Sequence, residues 1–138
     1  MYGPSHTANQ AYRSSAAEHT VETADGYTLI ASLMTRFVAR TSMAKHCIRN
    51  HDVAGKGEHL SQAVAILDVL QVAVDDAHDS RLAENLVALY GYATRRLLEA
   101  NLKSDVAIID EVEGLVREVK SAWDAIGDDV PAQVARRD

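Results

Sequence analysis

The chain has 138 residues, 47% hydrophobic and 25% charged, with 7 Gly, 2 Pro, 1 Cys and a formal net charge of −6. That size and balance suit one globular domain around a single hydrophobic core. The acidic balance argues against a nucleic-acid binder, one cysteine excludes an intrachain disulfide or a cysteine zinc cage, and no apolar run reaches the roughly 18 residues of a membrane span.

Residues 1–24 read as a flexible N-terminal arm. Ser, Thr, Asn, Gln and Ala dominate it, Tyr2, Tyr12 and Val21 are its apolar anchors, and a short helix fits over 9–19. Its start lacks the charged-then-apolar pattern of a signal peptide, so any part in secretion is expected to be played from the cytoplasm. A first long helix is expected after Asp25, a good N-cap because its carboxylate accepts a free backbone N–H. Ile30, Leu33, Met34, Phe37, Thr41, Ala44 and Ile48 make its stripe, and it should stop near Asn50 or His51. Residues 52–57 read as a turn, with Gly55 and Gly57 suited to a helix end.

The second helix is expected over 58–77. Leu60, Val64, Leu67 and Val74 would face the core, but Ala63, Ile66, Val69, Leu70 and Ala73 spread the apolar surface well beyond one stripe. Between Ala63 and Val74 only Asp68 and Gln71 are polar. A bundle helix needs an apolar face of about 100°. This one has more, so it is either central or presents a groove to a partner. An acidic turn (Asp75, Asp76, Asp79) leads to a third helix over 80–101. The fourth starts after Ser104 or Asp105 and runs to Ile126, with Val106, Ile109, Val112, Leu115, Val116, Val119, Trp123 and Ile126 as its stripe and Gly127 as its stop. Residues 128–138, with Pro131, read as a flexible tail. The expected organisation is therefore arm 1–24, bundle 25–127 and tail 128–138. The fold class is all-α, an antiparallel up-down four-helix bundle.

Catalytic signals are weak throughout. No Glu-x-x-His pair of the di-iron kind occurs, and Asp75, Asp76, His78 and Asp79 read as a solvated turn rather than metal ligands. Gly55-Lys56-Gly57 lacks the Walker spacing. Cys47 reads as a small buried side chain; His46 points about 100° away and only His51 could approach it. No catalytic residue, metal or cofactor is expected. A phosphotransfer bundle is the rival from another class, with His46 or His59 as phosphoacceptor, although no Lys-Gly follows His59-Leu60. Arg95 stands at the right spacing to pair with Glu99, an interaction worth only about 0.2–0.5 kcal/mol, which leaves Arg96 for a partner. Tyr90 and Tyr92 lie about 200° apart on the helix, so one is core and the other an outward binding anchor.

The stretch 85–101 is the most distinctive: Asn85-Leu86, Leu89-Tyr90, Tyr92, Arg95-Arg96-Leu97 and Ala100-Asn101 fall on one helix. It resembles the NLxxLYxYxxRRLxxAN helix of the flagellar secretion chaperones. The likeness continues in Met1-Tyr2, in Ala11-Tyr12, and in Thr23-Ala24-Asp25-Gly26 followed by Leu29-Ile30. It extends through Lys56-Gly57-Glu58-His59-Leu60 with Ala63, through Glu111-Val112-Glu113-Gly114-Leu115 and through Ala122-Trp123. Departures are Gly26 for a usual Pro, Leu33-Met34-Thr35-Arg36 for Leu-Tyr-Asp-Gly, and Asp79-Ser80 for a glycine pair. The resemblance implies a cytoplasmic, non-enzymatic export chaperone. Its partner would be the disordered C-terminal segment of flagellin, kept from premature polymerisation and ready for type III secretion. The flagellar export gate and flagellar regulators would be further partners. An adaptor for another secretion partner is the alternative within binding proteins.

A disordered tail needs apolar surface in exchange for its ordering entropy. The second helix can supply it as a helix-in-groove site. The residues expected to hold cargo are Tyr12, Ile66, Val69, Leu70 and Ala73, with Tyr92, Arg96 and Asn101 as rim. The segment from Tyr2 to Tyr12 is expected to cover the groove until cargo displaces it.

Overall fold

The computed structural model describes residues 24–75 and 80–127. The arm, with Tyr12 and its expected covering role, residues 76–79 of the acidic turn, and the tail lie outside the described residues. Four helices follow in order: α1 (Ala24–Arg49), α2 (Val53–Asp75), α3 (Ser80–Lys103) and α4 (Val106–Gly127). Each packs on two others, α1 on α2 and α4, and α3 on α2 and α4, which closes a ring. Short connections between sequential neighbours make it an antiparallel up-down four-helix bundle.

The core is the meeting of the periodic stripes. Met34, Phe37 and Ala44 of α1, Leu60, Ala63, Leu67 and Leu70 of α2, Tyr90, Ala93, Leu97 and Ala100 of α3, and Ile109, Val112 and Val116 of α4 are buried together. The Tyr90 ring is buried among them, and burial pushes its hydroxyl pKa up to about 12.

Helix ends depart from expectation in one instructive place. Gly55 and Gly57 do not form the turn; they lie inside α2. The left-handed residue that ends α1 is His51, at φ 58°. Its amide donates to Ile48 O and that of Asp52 to Cys47 O, which is a Schellman closure. Ser104, at φ 52°, ends α3 in the same way, with Asp105 N donating to Ala100 O. Asp52 and Asp105 then cap the next helices: Asp52 Oδ1 accepts from Gly55 N and Asp105 Oδ1 from Ala107 N, both at 2.9 Å. Gly55 serves close approach instead, since a Cβ there would meet Cys47 Sγ at 2.8 Å.

Gly57 and Gly114 are different. A Cβ at either would meet nothing within 4 Å. Each costs its helix conformational entropy without a packing reason inside the free protein. Gly57→Ala and Gly114→Ala are each expected to stabilise the chain by about 0.5–1 kcal/mol. Urea midpoints of the two variants check this.

The far end of the bundle is held by an aromatic clasp. Tyr27 of α1 stacks on Trp123 of α4 with ring centroids 4.8 Å apart and planes 6° from parallel. Trp123 Nε1 donates to Tyr27 O at 3.1 Å, and the Tyr27 hydroxyl donates to Trp123 O. A Cβ on Gly127 would fall on the Tyr27 ring, so the fourth helix finishes on glycine for space.

Candidate functional site

Polar side chains on three of the seams serve the fold. At the start of α2, Lys56 is buried, and its ammonium donates to Asn101 O and Ser104 Oγ, both at 2.8 Å. A positive charge thus sits on the C-terminal carbonyls of α3, where the helix dipole favours it. Between α1 and α4, Glu113 is buried and accepts from Thr41 Oγ1 at 2.8 Å, with Lys45 and Arg117 each 3.2 Å away. Lys45 also reaches Asp110 at 2.8 Å. That hydrogen bond raises the Lys45 pKa.

The α3–α4 seam corrects one expectation. Arg95 does not pair with Glu99; Arg96 does, at 2.5 Å. Arg96 lies 100° further round the helix, on the side facing α4, and there it also reaches Glu111 at 2.9 Å. Tyr92 donates to the other oxygen of Glu111 at 2.7 Å, and Lys103 holds Glu99 at 2.7 Å. Glu99 is held below the usual carboxylate range first by Lys103 and then by Arg96. Glu111 is held below it first by the Tyr92 hydroxyl and then by Arg96.

Because both carboxylates have depressed pKa values in the fold, their contribution is complete above the unfolded value of about 4.3. It is lost as pH falls below that toward the folded values. Acid should therefore weaken the α3–α4 seam from about pH 4 downward. Urea midpoints compared across this window check it, and Glu111→Gln should show a smaller acid loss than the wild type.

Among the described residues no catalytic constellation emerges. The described residues hold no group of three or more His, Cys, Asp or Glu placed to bind a metal ion. Cys47 is buried, and burial first, with Asp52 second, raises its thiol pKa away from the reactive thiolate. His59 Nδ1 accepts from Arg40 Nη1 at 3.4 Å and is half-buried between α1 and α2.

The chemistry left unspent is apolar and lies on the outer side of α2 and on α3. Toward α1 stand Val69, 50% exposed, half-buried Ala73 and the buried edge of Ile66, with exposed Leu29 opposite. Val72, 64% exposed, lies about 60° further round α2 from Val69 and faces away from the core, and Leu98 and Leu102 are exposed on α3. Of the residues expected to hold cargo, Ile66, Val69 and Ala73 share one helix face by their spacing. Leu70 does not join them: it is 1% exposed and belongs to the core. Tyr92 and Arg96 come together on Glu111 across the bundle from Val69. Asn101 sits at the end of α3, its carbonyl held by Lys56. The expected rim is thus a separate place from the α2 surface. The exposed Leu98 and Leu102 were missed; their i,i+4 spacing off the core stripe was the available signal.

Fold and surface together define a small helical bundle whose polar clusters bind its own helices and which leaves apolar side chains exposed on α2 and α3. The comparisons agree with that class. The profile of the family described as Flagellar protein FliS matches residues 8–130. The chain is 36% identical over 115 residues to the Flagellar secretion chaperone FliS of Escherichia coli K12, covering 83% of this chain and 85% of that one. It is 36% identical over 128 residues to the Flagellar secretion chaperone FliS of Salmonella typhimurium LT2, covering 92% and 95%. To the Flagellar secretion chaperone FliSB of Pseudomonas aeruginosa it is 35% identical over 119 residues, covering 86% and 94%. The chain belongs to the FliS family, a family of export chaperones rather than of enzymes.

Proposed function

We propose that this chain is a cytoplasmic export chaperone that holds the disordered C-terminal segment of flagellin, preventing its premature polymerisation until type III secretion. The observation that carries the reading is α2, whose apolar side chains continue past the core onto its outer side, at Val69 and Val72. A disordered segment that folds as an amphipathic helix gains its affinity from such surface. An enzyme of this size would need a cluster of convergent polar groups, and the described polar clusters are consumed in holding helix to helix. The phosphotransfer alternative has less support: His59 is half-buried and engaged with Arg40, and His46, though exposed, has its ring against the Asn50 side-chain amide.

Calorimetric titration with the C-terminal segment of the organism's own flagellin tests it. One-to-one binding with a large negative heat-capacity change is expected. Absence of binding to that segment would end this reading.

A further inference from the structure

The helices alternate in direction, so α2 and α4 finish at the same end of the bundle, where α3 begins. There two core stripes end on exposed side chains. On α3, Leu82, Leu86, Leu89, Ala93 and Leu97 recur at helical spacing; the last four are buried or half-buried, and Leu82 is 54% exposed. On α4, Val119 and Trp123 are half-buried, and Ile126, next on the stripe, is 54% exposed. The Arg96–Glu111 pair sets the antiparallel register of α3 and α4 and brings Leu82 and Ile126 close to one level.

The same end is negative. α1 and α3, which finish at the other end, carry His46 and Arg49, and Lys103, in their last turns. α2 and α4 carry no basic residue there. Helix C-termini bear partial negative charge. Asp75, Asp76 and Asp79 between α2 and α3, and Asp128 and Asp129 after α4, add to it. Among the described residues the cations of that end are Arg81, on the first turn of α3, and Lys120, which is held by Asp124.

The chain that continues from Gly127 matches both features. Pro131 cannot extend α4, because it lacks an N–H and its ring clashes with the carbonyl four residues back, so the chain must leave the helix axis there. Val130 and Val134 stand four apart, and Arg136 and Arg137 are the only charged side chains between Asp129 and Asp138. Seven residues past Gly127 span up to about 25 Å, against about 10 Å between the axes of packed helices. The N-terminal arm enters at the same end, but residues 14–23 carry Glu18 and Glu22 and no arginine or lysine. Charge therefore favours the C-terminal segment over the arm.

We infer that residues 130–137 fold back over this end of the bundle, with Val130 and Val134 on Leu82 and Ile126, and Arg136 and Arg137 at the C-terminal carbonyls of α2. The valines remove the end of the core from water. The arginines supply the cations that the last turns of α2 and α4 lack.

The test uses the full chain. Val130→Asp with Val134→Asp is expected to speed amide exchange in residues 84–88 of α3 and 123–127 of α4 by at least about fivefold, because it returns apolar area to water and eases local opening. It should also raise acrylamide quenching of Trp123, the single tryptophan. Arg136→Glu with Arg137→Glu should raise both readouts by a smaller factor, which shrinks at high salt, where the Debye length falls to about 3 Å at 1 M. Circular dichroism confirms the helix content of each variant. Val21→Asp, in the arm, should leave both readouts unchanged. Unchanged exchange and quenching in either tail variant, or an equal response to Val21→Asp, would overturn the inference. No cargo enters the measurement, so its result is independent of the flagellin titration.

Discussion

Lys56→Met is expected to lower the unfolding free energy by about 2–4 kcal/mol, because hydrogen bonds from charged groups are worth about 1.5–3 kcal/mol each and part of the loss is offset by no longer burying an ammonium. Lys56 is 7% exposed and holds the last turn of α3 through Asn101 O and Ser104 Oγ. Methionine keeps the apolar stem, so the loss isolates the charge and its two bonds. The Asn101 carbonyl is then left without its donor, and the C-terminal turn of α3 should fray. Urea unfolding measures the total. Amide exchange in residues 100–105 locates it. A loss below about 0.5 kcal/mol, the range of ordinary surface substitutions, would show that the ammonium does not hold that end.

Trp123→Ala should cost about 2–4 kcal/mol, near the lower end of the range for deleting a large aromatic, because the ring is only half-buried. Three things go together. The stack on Tyr27 is worth about 0.5–1.5 kcal/mol beyond its area. The indole N–H bond to Tyr27 O adds about 1 kcal/mol. The remainder is apolar area returned to water. The expected signature is local as well as global: the first turns of α1 and the last turns of α4 lose exchange protection before the centre does. Gly127→Ala tests the same clasp without removing it, since the added methyl group displaces the Tyr27 ring. The chain has a single tryptophan, so its fluorescence reports that displacement directly.

These two residues also show what could be read in advance. The four helices were legible because each stripe repeats at helical spacing over 20 or so residues, and burial follows that spacing. Phe37, Leu67 and Val112 are all buried, as the stripes require. The turns were less legible. Gly55 and Gly57 look like a helix stop, yet the left-handed positions went to His51 and Ser104. Asp52 and Asp105 restart a helix immediately afterwards, and that strong capping set the boundary. Lys56 could not be placed from its neighbours, because its partners lie 45 and 48 residues away. Arg95 and Arg96 differ by 100° of rotation, and only the position of Glu111 on α4 decides which is paired.

The candidate surface was half legible for a related reason. An excess of apolar residues on α2 is visible in the sequence, and Val69 is indeed exposed. Its neighbour Leu70 is core. On a helix apolar all round, periodicity gives no phase, so adjacent residues cannot be sorted into inside and outside without the packing of α1 and α3. Tyr92 and Arg96 read as a rim because tyrosine and arginine are common interface anchors. Here their polar atoms are spent on Glu111.

The claim that organises these observations is that α2's surplus apolar surface, rather than the tyrosine-bearing side of α3, is where cargo lies. An amide NMR titration with the flagellin C-terminal segment tests it most directly. The largest shifts are expected around Val69 and Ala73 and at Leu29 across the seam. Shifts confined to the α3–α4 seam, around Tyr92, Arg96 and Glu111, would contradict it.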